Sequence, residues 1–258
     1  MSGTAAELEP HPIHDILAGR LAPPGGGAVV DLGCGPGHTL TAIHHHWPAA
    51  QLIGIDLQPK PLATAQHSGA GTRALLVRAD LARPLPLHAA SVTALVCHNV
   101  VELLPQPAVL FAEAHRVLRP GGQAIWSHTD FASLIIHGAD HQLTDRICQA
   151  YADVPQRWMA RIDPRAGRRI PGLARRAGLA VGAFDAHVLT VDRLAGQARQ
   201  RVDEITEVAC RHATQGRAPL TVQQVQSWRA QLDRADADGE FCFAETALTT
   251  TTTRPSTG

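Results

Sequence analysis

The chain has 258 residues, 45% of them hydrophobic, with 23 basic and 23 acidic side chains and a formal net charge of zero. That length suits one large domain whose core needs no covalent staple, and the neutral balance leaves no electrostatic footprint for nucleic acid or an anionic membrane. The five cysteines (Cys34, Cys97, Cys148, Cys210, Cys242) are scattered, odd in number and form no CxxC pair, so they read as reduced thiols of a cytoplasmic protein; no apolar run approaches membrane-spanning length, and the N-terminal stretch has no signal-peptide core.

The first half alternates apolar strands with amphipathic helices. AVVDLG (28–33) predicts a buried strand ending in glycines, and residues 38–46 a helix. QLIGID (51–56) predicts a second strand, 60–68 a second helix, RALLVRAD (73–80) a third strand and VTALVCHN (92–99) a fourth. In PAVLFAEAHRVLRPGG (107–122), Leu110, Ala114 and Val117 fall at helical spacing before a Pro-Gly-Gly stop, and QAIWSHTD (123–130) predicts a fifth strand. Strands alternating with helices imply a parallel sheet covered on both faces, and right-handed crossovers make it doubly wound.

Beyond Asp130 the character changes. Residues 131–153 and 167–178 read as helical, LAVGAFDAHVLTV (179–191) as a sixth strand, 192–213 and 221–237 as polar amphipathic helices, and EFCFAETALTTTTT (240–253) as a last strand. The end of the Thr run 249–253 is expected to be disordered. The expectation is an α/β, mostly parallel, seven-stranded sheet in a single domain over 1–258. Its cofactor half spans about 25–130, and helical lid and substrate-side elements span about 131–178 and 192–238.

Chemistry concentrates at the carboxyl ends of the strands, where open α/β sheets bind ligands. Gly33, Gly35 and Gly37 follow the first strand as G-x-G-x-G, one residue short of the dinucleotide spacing. Asp31 just before them would repel a pyrophosphate and suit a cation. Asp56 ends the second strand, where a carboxylate can accept from two ribose hydroxyls. Asp80 and Leu81 end the third, a polar–apolar pair able to meet the edge and face of a base.

VVDLGCGPGHT, LIGID, RAD-L, ALVCHNVVELL and HRVLRPGG together resemble the successive motifs of class I S-adenosylmethionine-dependent methyltransferases, and within them the small-molecule branch related to ubiquinone and menaquinone methyltransferases. The resemblance is tight over about 28–130 and looser beyond. It implies S-adenosyl-L-methionine as cofactor, held by Asp31, Gly33, Cys34, Gly35 and Gly37 at its methionine part, by Asp56 and Leu57 at the ribose, and by Asp80 and Leu81 at the adenine. It places His98 and Asn99 along the methyl-transfer centre, and Cys34 reads as a small packer rather than a nucleophile.

His98 and His128 end the fourth and fifth strands and are the candidate bases, since imidazole titrates near ~6.5. His44, His45 and His46 face different ways on a helix and suit its C-terminal dipole, so no metal is expected. Strand four lacks the Pro-Pro motif of the nucleic-acid and glutamine-methylating branch. Phe131, Trp126, Tyr151 and Trp158 are candidate linings of an apolar acceptor pocket, with core packing preferred for Trp126. Arg168 and Arg169 read as a solvated helix start that could otherwise meet an acidic acceptor. The expected activity is methyl transfer to a small organic acceptor at O, C or N. The rivals are another reaction of the same cofactor, such as cyclisation or aminopropyl-type transfer, a non-catalytic cofactor-binding subunit, and, more distantly, a nicotinamide oxidoreductase. A homodimer is left open.

Overall fold

A computed structural model describes residues 11–23, 27–67, 73–155 and 162–256. Strand β1 (Ala28–Leu32) lies between β2 (Gln51–Asp56) and β4 (Val92–His98), both parallel to it. β2 pairs in turn with β3 (Leu75–Arg78), and β4 with β5 (Leu118–Thr129). The order β3-β2-β1-β4-β5 reverses between β1 and β4, which makes the carboxyl ends of those two strands the topological switch point.

The alternation of side chains explains why the central strands are continuously apolar. Val29, Ala94, Val96 and Ile125 face one layer, with α1 (Ile13–Arg20) and α2 (His38–His46) supplying Ile13, Leu17, Leu40 and Ile43. Val30, Leu32, Leu95, Cys97 and Trp126 face the other, met by Leu110, Phe111 and Val117 of α4 (Pro107–Val117) and by Ile170 and Leu173 of α6 (Ile170–Arg176). Helix α3 (Pro59–His67) buries little beyond Ala65. Trp126 is a core residue: its ring stacks on Phe111 with centroids 4.0 Å apart, and its indole N–H donates to Thr252 Oγ1 at 3.0 Å.

The last strand, β8 (Cys242–Thr253), runs antiparallel to β5, and β7 (Ala180–Val191) pairs with it. The Thr run is therefore ordered. Thr249, Thr250 and Thr252 are fully buried, and Arg254 beyond them exchanges backbone hydrogen bonds with Gly121 and Gly122. β-branched threonines fit a pleated, covered surface, and composition alone does not reveal that cover.

Two expectations are corrected here. The stretch 131–153 is not helical throughout: a 3-10 turn at Phe131–Ser133 and a short strand β6 (Ile135–His137) precede α5 (His141–Asp153), and Asp140 caps α5 through Leu143 N–H. β6 pairs with the start of β8, so there are eight strands where seven are expected. Helix α1, with Ile13, Leu17 and Ala18 buried, also escapes the sequence reading, since no side chain caps its short span.

By internal contacts the chain divides into two compact units. One comprises Pro12–Asp130, Asp163–His187 and Ala247–Gly258, and the other Met1–His11, Phe131–Ile162 and Val188–Thr246. The second unit has its own core, in which Trp228, Phe243 and Ile147 are fully buried among α5, α7 (Gly196–Thr214) and α8 (Val222–Asp238). In that unit Arg201 donates to Tyr151 Oη at 3.0 Å, pairs with the buried Glu245 at 3.0 Å and lies over the Phe131 ring at 5.2 Å. Tyr151 and Phe131 thus pack around an arginine in this unit's interior. Trp158 lies outside the described residues. No helix among the described residues is long and apolar enough to cross a membrane.

Candidate cofactor and active site

The site is built at the switch point from the loop after β1. Gly33 has φ +78°, and its N–H donates to Ile55 O at 2.7 Å; any Cβ there would overlap Val100 Cγ2. Gly35 has φ +50° and nothing within 4 Å of where a Cβ would stand, so its backbone borders open space. Gly37, at φ +91°, is the N-cap of α2. Glycine is needed at all three for the left-handed conformation, and at Gly33 also for close approach.

Asp56 holds this loop. Its Oδ2 accepts from Gly35 N–H at 2.8 Å and its Oδ1 from Gln58 N–H at 2.8 Å. A carboxylate offers about four lone-pair sites, so two remain for hydroxyl donors. Leu57, beside it, is 47% exposed. Asp80 accepts from Ala82 N–H at 2.9 Å and so caps its own turn, while Leu81 is buried in the core.

Asp31 is the electrostatic anomaly. It sits inside β1 between Gly54 and Val96, 2% exposed, and its Oδ2 has no hydrogen-bond partner among the described residues. Burial, followed by the charge of Asp56, pushes its carboxyl up to about 8. A buried polar atom without a partner is costly and calls for a reason. Cys34 packs its Sγ over Gly54, and burial, then Asp31 and Asp56, push its thiol well above the usual range, which suits packing rather than nucleophilic attack.

At the end of β4, His98 is half-buried and its ring meets His14 of α1 edge to face, with centroids 5.4 Å apart. Asn99 adopts φ +52°, a conformation asparagine tolerates. Its side chain is turned to β5: Oδ1 accepts from Thr129 N–H at 2.8 Å and Nδ2 donates to Thr129 Oγ1 at 3.2 Å. Asn99 therefore clamps the two strand ends together, and its amide is committed there.

Residues 30–126 match the family described as a methyltransferase domain. Over this stretch the chain resembles the class I S-adenosylmethionine-dependent methyltransferases. The trans-aconitate 2-methyltransferase of Azoarcus sp. is 37% identical over 108 residues, 42% of this chain and 41% of that protein. The ubiquinone biosynthesis O-methyltransferase of Pseudomonas syringae is 34% identical over 132 residues, 47% of this chain and 55% of that protein. The chain thus spans about half the length, or less, of the curated relatives it matches. The crystal structure of a candidate methyltransferase from Bacillus halodurans covers 95% of this chain and 98% of its own, with a TM-score of 0.62 at 16% identity, and shows the shared fold.

Asp31, Gly33, Cys34, Gly35, Gly37, Asp56, Leu57, His98 and Asn99 all come to the carboxyl ends of β1, β2 and β4. Asp80 and Leu81 follow β3 on the same edge. His128 differs from its expectation of meeting the acceptor. It is fully buried at the end of β5, where a Cβ on Gly167 would come within 3.2 Å of it, and burial lowers its imidazole to about 4. The turn Ala166–Arg169 covers it. Arg168 is engaged with Asp130 at 2.7 Å and Arg169 with Asp163 at 2.8 Å.

Sequence reading assigns no role to Glu102, which follows β4 in a 3-10 turn and is 4% exposed with its Oε2 3.9 Å from His128 Nε2. It also assigns none to His14, which lies far from the motifs along the chain. The histidines 44–46 do occupy the last turn of α2, where His46 pairs with Asp15 of α1 at 2.8 Å. Among the described residues no group of three or more His, Cys, Asp or Glu side chains could hold a metal ion.

Proposed function

We propose that this chain catalyses transfer of the methyl group of S-adenosyl-L-methionine to a small organic acceptor at O, C or N. The observation that carries this reading is Asp31: a buried carboxyl whose Oδ2 has no partner among the described residues, beside a glycine loop whose backbone borders open space. A cationic ligand supplies the missing partner and makes the charged form of Asp31 affordable.

The residues present fit that cofactor. Asp31, Gly33, Cys34, Gly35 and Gly37 would hold its methionine part, Asp56 and Leu57 its ribose, and Asp80 and Leu81 its adenine. When bound, the cofactor would supply an electrophilic methyl on a sulfonium sulfur, whose departure as a neutral thioether would balance the methyl gained and the proton lost by the acceptor. The chain's own contribution is alignment and proton removal. Alignment of the reacting groups can supply on the order of 7–11 kcal/mol of the barrier. His98, half-buried on β4, is the base we assign. His128, with Glu102, lies behind this surface and supports it, while Asn99 holds the β4 and β5 ends in register. Residues of 131–178 and 192–238 are taken as the substrate-side elements of a single methyltransferase domain. The zero net charge supports a small acceptor over a nucleic acid, and the five free thiols support a cytoplasmic setting.

Calorimetric titration with S-adenosylmethionine and S-adenosylhomocysteine tests the reading. Binding of both is expected; binding of neither removes it. Adenosylhomocysteine as the turnover product, rather than methylthioadenosine, separates methyl transfer from other chemistry of the same cofactor.

A further inference from the structure

Three imidazoles meet beside the glycine loop. His14 stands on α1, His38 opens α2 directly after Gly37, and His98 ends β4. The His14 ring lies 5.5 Å from that of His38, tilted by 43°, and 5.4 Å from that of His98, near perpendicular at 83°. His14 Nδ1 is 2.9 Å from Thr39 Oγ1, which holds the middle ring between the other two. His38 is exposed while His14 and His98 are half-buried, so the cluster runs from solvent to the strand end.

The other charged groups around the cluster are accounted for. On α1, Asp15 is engaged with His46 of α2, and Arg20 with Asp185 of β7. Asp31 on β1, Asp56 on β2, Asp80 after β3, Glu102 after β4 and Asp130 after β5 are the acids of this sheet edge, with Asp130 engaged by Arg168. On β5, His128 is sealed under Gly167. Methyl transfer as argued above uses only His98 of the three imidazoles.

Resting on the reading of this loop as the cofactor site, we propose that His14, His38 and His98 discriminate the charge on the ligand's sulfur. When neutral they accept the sulfonium cofactor, and when protonated they disfavour it relative to its neutral thioether product. Like charges at this spacing repel, and partly buried charges are poorly screened by salt. By linkage, sulfonium binding expels protons from the cluster to the same degree that protons expel the sulfonium. His14 and His38 thereby become residues of the cofactor site, and mildly acidic conditions tip it toward product.

S-adenosylmethionine and S-adenosylhomocysteine share every other charged group, so the ratio of their affinities isolates the sulfur. Calorimetry on the full chain at about pH 5.5 and 7.5 brackets the ordinary titration of imidazole, ~6.5. The affinity for S-adenosylmethionine relative to S-adenosylhomocysteine is expected to fall about tenfold on going to the lower pH. In His14→Gln/His38→Gln, where glutamine keeps hydrogen-bonding capacity and binds no proton, that fall is expected to shrink to about threefold or less. If the double variant does not fold, the exposed His38→Gln alone is expected to show a smaller fall than the parent. Asp31 also feels the sulfur's charge, and Asp31→Asn, which abolishes its titration, is expected to leave the acid-side fall in place. A ratio independent of pH in the parent protein, or an undiminished fall in the histidine variants, overturns the proposal. Failure of the parent to bind either ligand at pH 7.5 instead overturns the cofactor reading on which it rests.

Discussion

Glu102 Oε2 stands 3.9 Å from His128 Nε2, and both side chains are buried. Burial pushes the Glu102 carboxyl up to about 8 and the His128 imidazole down to about 4. Between those values both groups are neutral, so this is a dipolar contact between uncharged groups and not an ion pair. The low-dielectric interior makes either charge too costly to hold there.

Glu102→Gln is therefore expected to leave the fold intact and to stabilise it as pH rises. Between the ordinary carboxyl range and about 8 the folded state keeps a proton on Glu102 that the unfolded chain has released, so stability falls with rising pH across that window and then levels off. The glutamine removes this term. The difference in Tm between variant and parent should widen from pH 5 to pH 8 and stay constant above; a constant difference throughout would count against the buried neutral acid. His128 works in the opposite direction: the unfolded chain takes up a proton that the fold refuses, so stability is lost as pH drops from the usual imidazole range toward about 4.

Asp31→Asn separates stability from binding. The amide keeps the shape and removes a carboxyl pushed up to about 8, so the variant should melt higher than the parent at pH 8 and above. The same change should weaken S-adenosylmethionine binding about tenfold or more, because a charge-assisted contact is lost. Equal affinity in the two proteins would take Asp31 out of the site.

Gly33 and Gly35 should respond differently to alanine. At Gly33 a Cβ overlaps Val100 as well as forcing φ +78°, and the variant should lose about 2–5 kcal/mol and express poorly. At Gly35 a Cβ meets nothing within 4 Å, leaving only the strain of φ +50°, about 1–2 kcal/mol. Gly35→Ala should fold, melt a few degrees lower, and fail to bind the cofactor because the methyl enters the ligand's space. Thermal melts together with calorimetry distinguish the two.

Asp56→Ala removes the acceptor of Gly35 N–H together with two hydroxyl-accepting lone pairs. Affinity for S-adenosylmethionine and S-adenosylhomocysteine should fall together by about tenfold or more, since the ribose is common to both. A loss confined to one ligand would place Asp56 near the sulfur instead.

Much of this architecture is legible from local pattern. β2 and α2 fall at their expected residues, because apolar runs bounded by glycine or proline have few alternatives. The glycine loop is legible for the same reason: three glycines in five positions directly after a strand mark left-handed backbone that strains other residue types by about 1–2 kcal/mol each. Short elements were not readable. β6 has three residues and exists because β8 offers it an edge, and α1 is held by buried Ile13, Leu17 and Ala18 rather than by a cap.

Local sequence, then, determined the sheet, the loop and the acids that end its strands, because backbone conformation and side-chain alternation are short-range properties. Tertiary structure alone decided which of those side chains are open and which are sealed. It buried His128 under Gly167, committed Asn99 to Thr129, set Glu102 against His128, and brought His14 from a distant helix onto His98. Each of these depends on contacts between residues far apart in the chain, and it is burial through such contacts that shifts a titration or withdraws a side chain from solvent.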